Sequence, residues 1–152
     1  MIYDILTDER LVRVPVSSRS EVTIDTGRID LPARLGTDKT VDSSTLNLTA
    51  TNFNLENPVV VDILAASSRN PNVFGEVLTG FALEPGQTRS VAVVQTGPDD
   101  PLVTAVTSES VNIRFVSTSP APGIGEIEFL FTIHVIAHKD TPGTGAGTLI
   151  FY

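Results

Sequence analysis

Two histidines, His134 and His138, and two pairs of carboxylates are the residues of this chain whose type and spacing could do chemistry. On a helix, an H-x-x-x-H spacing would turn both imidazoles toward one metal ion. Around them, however, apolar and polar residues alternate from Glu126 to His138, which predicts a strand. Four strand residues span roughly 13 Å at ~3.3 Å each, too far for a shared ion, and no third ligand is near in sequence. The pattern predicts two half-exposed strand histidines and no metal site.

The carboxylate pairs lead to the same kind of reading. Asp99 and Asp100 sit in Gly-Pro-Asp-Asp-Pro without the ligand-rich loop that a calcium site requires, so a solvated turn is expected. Glu126 and Glu128 share a strand face, where an acid/base pair of a glycoside-cleaving site could stand, but same-face strand carboxylates are commonly just solvated charges. No G-x-S-x-G elbow is present, and Gly143-Thr-Gly-Ala-Gly lacks the following Lys and helix of a phosphate loop. Asn47-Leu-Thr49 matches a glycosylation sequon, relevant only in a eukaryotic secretory route. With 6% aromatic residues and no Trp, a platform of stacked indoles for sugars is unavailable. The chain is therefore expected to be non-enzymatic, with no catalytic, cofactor-binding or metal-ligating residue and no cofactor.

Ten Lys plus Arg against eighteen Asp plus Glu give a formal charge of -8, and the basic residues are scattered, which argues against nucleic acid as a partner. The apolar stretches Val59 to Ala66 and Phe129 to Ala137 fall short of the ~20 residues of a membrane span, and Asp62, Thr132 and His134 interrupt them. Asp4, Asp8 and Glu9 stand where a secretory signal would carry basic and then apolar residues, so no such signal is expected. The absence of cysteine removes disulfides and thiolate sites and suits folding inside a cell.

What must position these side chains is a set of strands. Val12, Val14 and Val16 share one face; Val22 and Ile24 mark a second strand; and Ile29, Leu31, Ala33 and Leu35 continue the alternation, with Pro32 pointing to an edge or an extended arm. From Ser44 the alternation strengthens, and Pro58-Val-Val-Val-Asp-Ile-Leu-Ala is apolar on both faces except at Asp62, as in a central strand. Gly75 and Gly80 are expected to bend or bulge a strand around Val73 to Leu83. Glu84-Pro85-Gly86-Gln87 predicts a type II turn and a hairpin into Arg89 to Gln95. Leu102 to Val106 is read as a further short strand. Val111, Ile113 and Phe115 form another, and Ile127, Phe129, Phe131, Ile133, Val135 and Ala137 must face the core from the last long one. Thr148 to Tyr152 would be a terminal strand.

β-branched residues and Gly, Pro and Asn breaks, with no capped amphipathic window of a dozen residues, place the chain in the all-β class as an antiparallel β-sandwich. One domain is expected, with residues 1–43 as an N-terminal arm with peripheral strands and residues 44–152 as the sandwich core. The segment Phe81-Ala-Leu-Glu-Pro-Gly-Gln-Thr-Arg-Ser-Val-Ala-Val-Val resembles the proline-glycine hairpin of immunoglobulin-like modules in bacterial surface and phage proteins, and with its flanks the resemblance covers about Ser44 to His138. A jelly roll is the rival topology.

In size, acidity, lack of cysteine and lack of a signal, the chain also resembles tailed-phage capsid decoration, or cement, proteins. That resemblance implies a structural subunit at the virion surface, assembled in the host cytoplasm, whose partners are the major capsid protein or its own copies in a homo-oligomer. An adhesive immunoglobulin-like module for a cell-surface protein or glycan is the alternative, and an enzyme with an unrecognised site the third. Apolar residues at both ends, Ile2, Tyr3, Ile5 and Leu6 and then Leu149, Ile150, Phe151 and Tyr152, are the expected protein contacts, because sticky ends are costly to leave in water. On that reading, removal of residues 1–7 would leave the melting temperature little changed.

Overall fold

The computed structural model describes residues 2–15, 21–31, 39–67, 70–107, 110–120 and 125–139. In chain order these form β1 (Ile2–Leu6), β2 (Arg10–Pro15), β3 (Glu21–Asp25), β4 (Ile29–Asp30), β5 (Lys39–Asn52), β6 (Val59–Ser67), β7 (Gly75–Leu83), β8 (Thr88–Gln95), α1 (Pro101–Val106), β9 (Ser110–Thr118) and β10 (Glu126–Lys139). The strands make two antiparallel sheets, one ordered β1-β10-β5-β8 with β2 also on β10, the other β3-β9-β6-β7 with β4 also on β9. We call them sheet A and sheet B. The architecture is the antiparallel β-sandwich that the alternation predicts.

Because β5 covers one flank of β10 along nearly its whole length, β1 and β2 share the other flank and act as a single interrupted edge strand. β3 and β4 stand in the same relation to β9, whose other flank is taken by β6. Each sheet therefore has four strand positions, and the chain changes sheet at every connection between positions except the one from β6 to β7. This is the strand order of an eight-position jelly roll, whereas an immunoglobulin-like sandwich keeps more sequential neighbours in one sheet. The topology is thus the rival one.

The turn after β7 shows why the resemblance to an immunoglobulin-like hairpin misleads. Its chemistry is as expected: Gly86 takes a φ of 73°, and the Gln87 N–H donates to the Glu84 carbonyl at 3.0 Å. Yet β7 pairs with β6 and β8 with β5, so the turn hands the chain from sheet B to sheet A and makes no hairpin. Turn residues dictate a reversal; the ladder partner is chosen by long-range packing. Asp62, the one polar interruption of β6, has a local role at the expected bulge of β7, where its carboxylate accepts the N–H of Gly80, held at a φ of 67°.

Leu102 to Val106 is helical, not a strand. Pro101 starts the helix, where its missing N–H costs nothing, and Leu102, Val103, Ala105 and Val106 are all buried across one end of the sandwich. Six residues are too few to show a helical period in sequence. Gly75 permits its close approach, since a β-carbon there would lie 2.5 Å from Pro101 Cγ.

The core lies between the sheets. Every odd residue of β10 from Ile127 to Ala137 is buried, and the Phe129 ring stacks on Phe115 of the opposite sheet at 4.3 Å between centroids. The first thirty residues contribute Ile5, Val14 and Ile29 to this same core.

Candidate functional site

Alternation on β10 sends its even residues to the outer face of sheet A, and the register lays Ile2 beside His138, Leu6 beside His134 and Leu11 beside Leu130. Ile2, Leu6 and Leu11 are large exposed apolar side chains, and together they run along the outer side of the N-terminal edge. Tyr3 and Ile5, of opposite parity, turn inward: Ile5 is buried, and Tyr3 packs on the core with Lys39 Nζ 4.9 Å from its ring centre. Of the four N-terminal contact residues, Ile2 and Leu6 are therefore exposed, Tyr3 is half-buried and Ile5 is buried. Leu149, Ile150, Phe151 and Tyr152 lie outside the described residues, as do Gly143 to Gly147.

Several ionisable residues of this face are paired with one another. His134 Nε2 lies 2.5 Å from Asp4 Oδ1 on β1, and His138 Nδ1 lies 2.8 Å from Asp42 Oδ1 on β5. The two imidazoles thus reach to opposite flanks of β10. Arg13 on β2 sits against both Glu126 and Glu128, with Nε to Oε2 distances of 3.5 and 3.4 Å. One guanidinium thus bridges the two carboxylates on the outer face. Asp100 Oδ2 accepts the Gly97 N–H at 2.9 Å and so closes the Gly97 to Asp100 turn before α1. Among the described residues, no cluster of three or more His, Cys, Asp or Glu could hold a metal ion, and no helix is long and apolar enough to cross a membrane.

In the middle of the outer face, a shallow depression of about 340 Å³ is lined by Glu9, Asn47, Thr49, Ser90, Ala92, Leu130 and Thr132 among others. Sequence reasoning named Asn47 and Thr49 only as a sequon and missed the rest, because strands distant in the chain meet there. Leu11 could have been found, since its parity is opposite to that of Val12 and Val14.

No protein-family model and no curated protein matches the chain. Among solved structures, a chain from infectious bursal disease virus, Gx strain, overlaps 93% of this chain with a TM-score of 0.50 and 10% identity, and this chain spans about a third (32%) of it. The VP2 subviral particle of the same virus gives a TM-score of 0.40 at 11% identity, over 93% of this chain and 38% of that one. The N-terminal cellulose-binding domain of Cellulomonas fimi β-1,4-glucanase C gives 0.38 at 20% identity, over 86% of this chain and 78% of its own. What is shared at such identities is the fold, a β-sandwich.

Proposed function

We propose that this chain is a non-enzymatic structural subunit of a virus particle, a decoration or cement protein that binds the shell through protein–protein contacts at the virion surface. The observation that carries the reading is the apolar strip of the N-terminal edge, where Ile2, Leu6 and Leu11 are 67%, 57% and 44% exposed on one face of one sheet. Covering the exposed part of side chains of this size is worth about 1–2 kcal/mol each, a gain that a neighbouring subunit would realise. The sandwich fold shared with a chain of infectious bursal disease virus supports a particle as the setting. Leu149 to Tyr152 belong to the same proposal as a second contact, and the partner is the major capsid protein or further copies of this chain.

The test is co-sedimentation with particles purified from virus-producing cultures of the source organism. The parent should pellet with them, and an Ile2→Glu/Leu6→Glu variant should stay in the supernatant while melting as the parent does, because both side chains point outward. A parent that pellets with no particle, or a folded variant that pellets equally, would overturn the reading.

A second reading has its own observation, the depression on sheet A with the Asn47 amide and the Thr49, Ser90 and Thr132 hydroxyls around an apolar Leu130 and Ala92. Such a surface fits an adhesive module for a hydroxyl-rich glycan. Shifts of the Asn47 side-chain amide signal in an NMR titration with oligosaccharides would move this reading ahead.

A further inference from the structure

An open sandwich leaves edge strands whose unpaired backbone groups can template another chain, and natural proteins blunt them with charges, proline, bulges or interruptions. Three of the edges here carry such devices. β1 and β2 are interrupted at residues 7–9 and hold Asp4, Arg10, Arg13 and Pro15. β3 and β4 are interrupted at residues 26–28 and hold Glu21, Asp25 and Asp30. β7 carries Glu76 and Gly80, and its ladder with β6 shifts register twice.

The fourth edge has only a single charge. β8 runs unbroken from Thr88 to Gln95, pairs among the described strands only with β5 and keeps one register along its length. It contains no proline, glycine or acidic residue, and its one charge, the exposed Arg89, is tied to the Ala82 carbonyl at 2.6 Å and lies over the Phe81 ring at 4.5 Å. Val91 and Val93 are only partly buried against the core, and Val94 is 59% exposed.

We infer that β8 is a self-association edge, on which a second copy of this chain pairs antiparallel about a two-fold axis at Ala92, joining the two copies of sheet A into one continuous sheet. The occupant follows from complementarity. In that register Val91 meets Val93 on the inner face, Ser90 meets Val94 on the outer, and Arg89 meets the neutral Gln95, so no like charges are opposed along the strand. A chain of net charge -8 repels its copies over most of its surface, but here its edge offers only a positive charge. The inner valines of each copy extend the apolar face of the other. One strand edge gives an interface at the small end of the scale, below about 1,200 Å² in total, so association is weak and dependent on concentration. The inference does not depend on the virion reading.

Sedimentation velocity of the whole chain tests it, over about 1 μM to 1 mM, the range of weak association. The parent should pass from single chains to dimers as concentration rises. Ala92 is exposed on the outer face, so Ala92→Lys and Ala92→Glu should each melt as the parent does, yet each sets like charges across the axis and should remain a single chain throughout. An equimolar mixture of the two variants should recover the dimer. A parent that stays a single chain over the whole range, variants that associate like the parent, or a mixture of folded variants that fails to pair would each overturn the inference. Because no particle enters the experiment, its failure is separate from failure of the co-sedimentation test.

Discussion

β5 and β10, fourteen residues each, and the four short strands at the start of the chain share the same two-residue alternation, but they are held in place differently. The long pair is sustained by its ladder and by apolar packing across the core: the inner residues of β10 from Ile127 to Ala137 contain no polar group, and their register against β5 shifts only at Ile136/Ala137. The short strands are interrupted partway along the flank they share, and at each interruption a threonine replaces the lost ladder bonds. Thr7 donates its N–H to the Ile133 carbonyl at 3.0 Å and accepts the Ile133 N–H on its hydroxyl oxygen at 2.9 Å. Thr26 does the same with Ile113, at 2.9 and 3.1 Å. One device serves both sheets. The centre thus depends on apolar volume and the edges on individual hydrogen bonds, so substitutions should cost unequal amounts in the two regions.

The largest effect is expected where the sheets meet. Phe115→Ala or Phe129→Ala opens a cavity in the stacked pair and should cost about 3–5 kcal/mol, read from urea unfolding midpoints. A centre that tolerated either change for less than Glu128→Ala, a substitution on the outer face, would dissolve the contrast. Next comes Asn52, where the chain leaves β5. Its amide donates to the carbonyl of Asn57 at 3.0 Å and reaches those of Leu83 and Glu84 at 3.4 Å, while its oxygen accepts the Asn54 N–H. Asn52→Ala removes these bonds and strands the N–H of the buried Asn54, and should cost about 2–3 kcal/mol.

The threonine corners sharpen the contrast within the edges themselves. Thr7 is 5% exposed, so Thr7→Val strands the Ile133 N–H away from water and should cost about 2 kcal/mol. Thr26 is more open, and water can take over for its hydroxyl; Thr26→Val should cost about 1 kcal/mol or less. Equal costs at the two corners would mean that burial does not set the price. With Ile5 in the core and Thr7 in the ladder, removal of residues 1–7 is now expected to lower the melting temperature, which revises the expectation drawn from sequence.

How much of this was legible before folding depended on how local the cause was. The parity of β10, the bulge at Gly80 and the Pro85-Gly86 turn each arise from residues adjacent in the chain, and each is present as expected. The crossing of sheets after that turn was not legible, because Thr88 to Gln95 would satisfy either partner locally and only the placement of β5 decides. The six-residue α1 was hidden by its brevity, and the threonine corners by the ordinariness of Thr7 and Thr26 in sequence, where nothing signals a hydroxyl replacing a carbonyl. The outer depression was equally hidden, since Asn47, Ser90 and Thr132 meet only through register.

The smallest expected effect lies at the edge of sheet B and carries a sign. Arg114 on β9 holds Asp25 in a two-pronged ion pair, Nε to Oδ1 at 2.6 Å and Nη2 to Oδ2 at 3.0 Å, and its guanidinium lies 3.7 Å from the centre of the Phe74 ring. The hydrogen bonds from Arg114, against a smaller opposing effect of burial, pull the Asp25 carboxyl below its ordinary value. A carboxyl with a lowered folded-state pKa binds protons less readily than it does in the unfolded chain. Its stabilisation is therefore complete above the unfolded value of about 3.9 and fades as the pH falls through the lower folded value. With the two side chains 41% and 32% exposed, solvent screens the pair, and Asp25→Asn should cost under ~1 kcal/mol at neutral pH. In acid, where Asp25 is itself protonated, parent and variant should unfold at the same urea concentration. A difference that survives full protonation would assign the stabilisation to the shape of the Asp25 side chain and not to its charge, and this edge would then resemble the centre more than the corners do.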